Sequence, residues 1–379
     1  MSLAIIDGRE WQSARDLRTG EKAPADSPCS RMVSDVLRSH PFPGDIDARG
    51  NKWVTDTALD LAGRYDPHLA FLVYAQQYYA LRFDAPPPDE RAALIAAAFE
   101  EARRFAKEGG FFPVIVGTGD MIPVAAYIDL SHLDGLAVVT HWLTRYAGLY
   151  GPSEKDMAYL RSLPEIERIV DRRDYMALFA GTPAEDGRLP DYLAVSKEGC
   201  CFRSTLLRQA RMVAAANEFL PVANLEAADA LTDISAGVLE LLKTRKVALI
   251  LMEGVGLRDF PLPARRCRNG PDWFNYEPCE CQHLTVSTGR HQALAYPAGY
   301  RSYLEDDENK EYPLSGYFTS IPAGTVGTLT NARSIAVGNR SMFMHTVTGA
   351  DIAIECFARN LANQGCMAVI HRQDKYRHC

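Results

Sequence analysis

Three stretches of this chain carry apolar residues almost without interruption: "LAFLVYA" (69–75), "FFPVIVGTGD" (111–120) and "KVALILMEGVG" (246–256). A strand with one wet face alternates apolar and polar residues, whereas a strand buried on both faces does not. Each of the last two runs ends in an acid and a glycine turn, and helical segments stand between the three. The clearest is "PPPDERAALIAAAFEEARRFAKEGG" (86–110). Pro88 suits a first helical turn, acids open the segment, Arg and Lys close it, and Gly109-Gly110 stop it. Strands that alternate with helices imply parallel pairing. The expected fold class is therefore α/β, a mostly parallel sheet flanked by helices.

Other segments extend this pattern over residues 1–256. "LAIIDG" (3–8) and "DYLAVS" (191–196) read as strands, and 29–40 and 54–65 have helical spacing. Ser153 and Asp156 form a capping signal for a helix ending before Pro164. Further helices are expected over about 203–217 and 225–243. Beyond residue 256 the texture changes. Residues 257–347 are rich in Gly, Pro, Tyr, Thr and Ser in short alternating runs, and "EDDENKE" (305–311) reads as a solvated loop. Thr348 and Asp351 signal the start of a closing helix over "IAIECFARNLANQ" (352–364), stopped at Gly365 and followed by a strand, "CMAVIH" (366–371). The expected organisation is an α/β core domain, 1–256, and an irregular β-rich region, 257–379, whose last helix packs back on the core.

Composition narrows the function classes. The formal net charge of −7 disfavours binding to phosphate backbones, so no nucleic-acid partner is expected. The opening residues lack a basic segment followed by an apolar run, and no apolar run approaches the ~20 residues that span a bilayer, so no membrane partner is expected. The nine cysteines are an odd number in a long chain, which reads as reduced thiols and a cytoplasmic setting.

Several pieces, in order over roughly 1–245, resemble the alkaline phosphatase superfamily, in its nucleotide pyrophosphatase and phosphodiesterase branch. These are "AIIDG", "YDPHLAFLVYAQQY", "FFPVIVGTGDM", "LPEIERIVDRRDYMALF", "RLPDYLAVSKEG" and "ALTDISAGVLELL". The resemblance implies a metal-dependent hydrolase of phosphoesters, with zinc or manganese as cofactor and a small phosphorylated molecule as substrate. It implies that Asp7 and Asp120 ligate metal and that Ser27, Cys29 or Ser30 in "DSPCSR" supplies the nucleophile. Metal would activate that group and stabilise phosphoryl charge. Met121 stands after Asp120 where the family carries His, and this departure motivates a second reading, a non-catalytic binding or scaffold protein on the same fold.

Asp7, Asp120 and Glu253 each end an expected strand, where open α/β sheets bind ligands. An acid there also caps turns. "SIAVGNRSMFMHTVTGAD" (334–351) is a second polar focus, in which Arg340 and a following helix N-terminus suit an anionic group and His345 is a candidate acid or base. This supports a third reading, an unrelated α/β enzyme with its polar site in 313–351. The stretch "EPCECQHLTVSTGRH" (277–291) gathers Cys279, Cys281 and His283, with Cys267 nearby, all zinc-ligand types. On a straight strand, alternate residues lie ~6.5–7 Å apart, so three would span ~13 Å, too far for one ion. Unless the chain turns at Pro278–Glu280, the cysteines read as small packing residues. A redox pair is disfavoured because a strand offers no helix N-terminus to favour a thiolate.

Overall fold

A computed structural model describes residues 3–8, 12–17, 21–44, 46–138, 144–179, 190–203, 209–292, 332–340, 348–358 and 364–372. In chain order the first elements are β1 (Leu3–Gly8), β2 (Gln12–Asp16), α1 (Pro28–Ser39), α2 (Gly50–Tyr65), β3 (Leu69–Tyr74), α3 (Gln76–Asp84), α4 (Pro88–Gly109) and β4 (Phe112–Gly117). Then come β5 (Met121–Pro123), β6 (Ala126–Ile128), β7 (Leu136–Val138), β8 (Tyr146–Tyr150), α5 (Glu154–Ser162), β9 (Ile166–Asp171), α6 (Arg172–Leu178) and β10 (Tyr192–Ser196). The last are β11 (Cys200–Phe202), β12 (Met212–Ala214), β13 (Phe219–Ala223), α7 (Ile234–Leu242), β14 (Val247–Met252), β15 (Arg265–Arg268), α8 (Glu280–Thr288), β16 (Ser334–Gly338), β17 (Ile352–Ala358) and β18 (Gln364–Ile370).

The main sheet has ten strands in the order β15-β13-β4-β14-β3-β16-β17-β18-β1-β2. The fold class is α/β, and the sheet is mixed. Its centre, β4-β14-β3-β16-β17, is parallel, and every pairing outside that centre is antiparallel. The three apolar runs are β3, β14 and β4, side by side. They are buried on both faces because two helical layers cover them. Ala70, Leu72, Tyr74, Ile250 and Val337 face α1, α2 and α4, while Leu69, Phe71, Val73, Leu249 and Leu251 face α3, α7 and α8. The register explains the sequence pattern, since neighbouring residues of one strand go to opposite cores. A smaller antiparallel sheet, β7-β8-β10-β9, packs with α5 around a core of its own.

Four expectations are corrected. The sheet is not mostly parallel, because both flanks add antiparallel strands, two of them as hairpins (β1-β2 and β17-β18) and the rest from distant parts of the chain. Residues 352–358 form β17, not a helix: Ile352 and Ile354 face one core and Ala353 the other, and the backbone pairs with β16 on one side and β18 on the other. Asp351 caps no helix; its carboxylate accepts the Ser334 amide at 2.9 Å. Residues 209–217 carry β12, not a helix, and of 225–243 only 231–242 is helical, its first turn a 3-10 turn. Finally, 280–288 is a helix where a strand was expected. Among the described residues no helix is long and apolar enough to cross a membrane.

Candidate functional site

Parallel strands end together, and polar side chains gather beyond the carboxyl ends of β14, β3 and β16. Glu253 follows β14 directly, and Asn339 and Arg340 follow β16. All three are fully buried. Arg340 Nη1 donates to both carboxylate oxygens of Glu253 at 2.5 Å, and Nη2 donates to the Pro278 carbonyl at 2.8 Å. The Tyr78 ring lies under the guanidinium, 4.9 Å from its centroid. Burial alone would push the Glu253 carboxyl up, but Arg340 and His283 outweigh it and hold Glu253 below the usual carboxylate value. The pair is therefore ionised in the interior.

A chain of amides braces this pair. Asn339 Oδ1 accepts the Ala75 amide at 2.8 Å, and its Nδ2 donates to Asn51 Oδ1 at 3.0 Å. Asn51 Nδ2 donates to Gln77 Oε1, and Gln77 Nε2 donates to the Tyr74 and Glu253 carbonyls. Buried amides need such partners, since an unmet one costs about 1–3 kcal/mol. Gly50 leaves room for the network, because a Cβ there would sit 2.9 Å from Asn339 Nδ2.

α8 enters from the other side. Cys279 is its N-cap, in extended conformation and without a side-chain cap hydrogen bond, and Gly289 ends the helix at φ 68°. The His283 amide donates to the Cys279 carbonyl at 3.2 Å, so the two residues lie one turn apart on the same helix face. His283 Nε2 is 3.2 Å from Glu253 Oε1, out of line for a good hydrogen bond, and Nδ1 has no hydrogen-bond partner among the described residues. Burial pushes the imidazole pKa down, against the pull of Glu253, which favours a neutral ring. Cys281 hydrogen-bonds the Cys279 sulfur; that contact, with burial, raises its thiol pKa well above the ordinary value. Glu280, buried between them, is raised by burial, against the opposing pull of Arg340.

The sequence candidates separate into groups. Glu253, Arg340 and His283 come together, and Cys279 opens the helix that carries His283, with Cys281 against the Cys279 sulfur. Asp120 lies at the end of β4, where its amide donates to Asn217 Oδ1 and its Oδ2 accepts the Arg258 amide at 3.3 Å. Asp7 is on β1, five strands from β14 and six from β4, or ~24 Å and ~29 Å at the usual strand spacing. Asp7 and Asp120 therefore do not share an ion. Ser27 caps α1 by accepting the Ser30 amide, and Ser30 and Cys29 are buried in that helix, with the Cys29 thiol pushed up to about 12 by burial. These three serve α1, which packs on β1 and β18, away from the ends of β14 and β16. His345 lies outside the described residues, as does 305–311. Among the described residues, no three His, Cys, Asp or Glu side chains are gathered to hold a metal ion.

Strand geometry, the reason for setting aside the Cys-x-Cys-x-His stretch, does not apply to a helix. Glu280, Gln77 and Asn51 escaped the sequence reading; the signal for the central pair was an acid and an arginine, each closing an apolar strand. Comparison with protein-family models, curated proteins and solved structures finds no match to this chain.

Proposed function

We propose that the chain is a thiol-dependent hydrolase, with Cys279 as nucleophile, His283 as base and Glu253 orienting the histidine. The observation that carries this reading is the placement of Cys279 at the N-terminus of α8, one turn before a histidine that faces a buried carboxylate. A nucleophile, a base and a group that orients the base are the parts acyl transfer needs. With Nε2 turned toward Glu253, Nδ1 takes the Cys279 proton. The sulfur then attacks the carbonyl carbon of an ester or amide, and first-turn N–H groups of α8 favour the developing oxyanion. The leaving group departs with the proton from His283, and water, deprotonated by His283, releases the acid from the thioester. Arg340 holds Glu253 ionised and ties it to the Pro278 carbonyl beside the nucleophile.

All three side chains are shut from solvent, so turnover requires the site to open, and labelling by a thiol reagent reports that opening. The test is a panel of carboxylic esters and phosphoesters, with and without added zinc or manganese. Cys279→Ala should abolish ester turnover without changing the circular dichroism of the folded protein. Unchanged turnover by Cys279→Ala sinks the thiol reading. Phosphoester turnover that depends on added metal would instead support the metal-dependent hydrolase that the sequence resemblance implies.

A further inference from the structure

The helix N-terminus whose lack weighed against a redox pair is present. Cys279 is the N-cap of α8 and Cys281 lies in its first turn, with the Cys281 thiol hydrogen-bonded to the Cys279 sulfur. Neither is in a disulfide. One intervening residue and a common turn set the two side chains against each other at the N-terminus of a nine-residue helix.

We propose that Cys279 and Cys281 form a reversible disulfide by exchange with low-molecular-weight disulfides. In the first step the Cys279 thiolate attacks one sulfur of the small disulfide, whose S–S bond breaks and releases one thiolate. In the second, the Cys281 thiol gives its proton to that released thiolate and its sulfur attacks the Cys279 sulfur, expelling the other half as a thiolate that takes up the proton Cys279 lost. Two protein S–H bonds are oxidised to one S–S bond, and the small disulfide is reduced to two thiols. Both cysteines are buried, so the rate follows local opening of the α8 N-terminus. The linkage stands on its own geometry; only its effect on activity rests on the reading of Cys279 as nucleophile. In that case oxidation occupies the nucleophile and switches turnover off.

The experiment incubates the native full-length chain with oxidised glutathione, blocks remaining thiols, and cleaves after Glu280. The expected result is that the two halves of the cleaved peptide stay joined through 279 and 281, with two hydrogens lost, and separate on treatment with dithiothreitol. Cys281→Ser should stop at a glutathione adduct on Cys279. Several results overturn the proposal: no 279–281 link at any glutathione ratio, a link to Cys267 in the same core, or no adduct on Cys279 in Cys281→Ser. Turnover separates the two readings. A 279–281 link in a protein whose Cys279→Ala variant keeps its turnover leaves the disulfide standing and removes the hydrolase assignment.

Discussion

At the residue scale, the Glu253–Arg340 pair governs the site. Two charges in the interior are tolerated because each satisfies the other, and removing one partner typically costs about 3–5 kcal/mol. Arg340→Met should destabilise the protein by about that amount in denaturant unfolding, because Glu253 stays buried without its guanidinium. The double variant with Glu253→Gln should recover much of the loss. Glu280 gives a test in pH. Its folded pKa is raised above the unfolded value, so its contribution to stability is complete below the unfolded value and is lost as pH rises through the folded one. Glu280→Gln should therefore raise the melting temperature at neutral pH, with the gain fading as pH falls toward about 4.3. His283 shifts the other way: its folded pKa is lowered, so the native state loses stability as pH falls below about 6.5 toward the folded value, where the loss is complete.

At the element scale, α8 is the piece the chain disguises. "ECQHLTVST" is rich in β-branched and small residues and has no clear amphipathic stripe, because eight of its nine residues are buried. A helix apolar on one face announces itself, whereas one enclosed on all sides does not. Gly289 gives its end away, since a left-handed residue closes helices and favours glycine. A Cβ at 289 would also lie 3.1 Å from the Thr232 carbonyl. Gly289→Ala should cost about 1 kcal/mol or somewhat more, measured by thermal unfolding, and loosen the end that anchors α8. β17 misleads in the opposite direction: Thr348, Asp351 and a helical spacing of apolar residues suggest a helix, and two flanking strands override that local preference.

At the scale of the whole molecule, the division at residue 256 cuts across the main sheet. β16, β17 and β18 stand between β3 and β1, so the second part of the chain fills the middle of a sheet begun by the first. A fragment of residues 1–256 should show no cooperative unfolding transition and be cleaved quickly by proteases. It would expose the edges of β3 and β1 that β16 and β18 cover. A compact, cooperatively unfolding fragment would show that the boundary is a true domain boundary.

The parts with local signals are legible in the chain alone: three doubly buried strands, the capped and stopped helices α4 and α5, and an acid and an arginine at strand ends. Their cause lies within a few residues of each, in side-chain periodicity and cap chemistry. Packing across the fold sets which strands neighbour one another, makes 352–358 pair as a strand, and coils 280–288 into a helix beneath Glu253. Those outcomes depend on contacts between residues far apart in the chain, such as Arg340 with Glu253 and Asn339 with Asn51. No local pattern encodes a partner at that distance, so the candidate site was legible as separate residues and became a site only when the sheet brought them together.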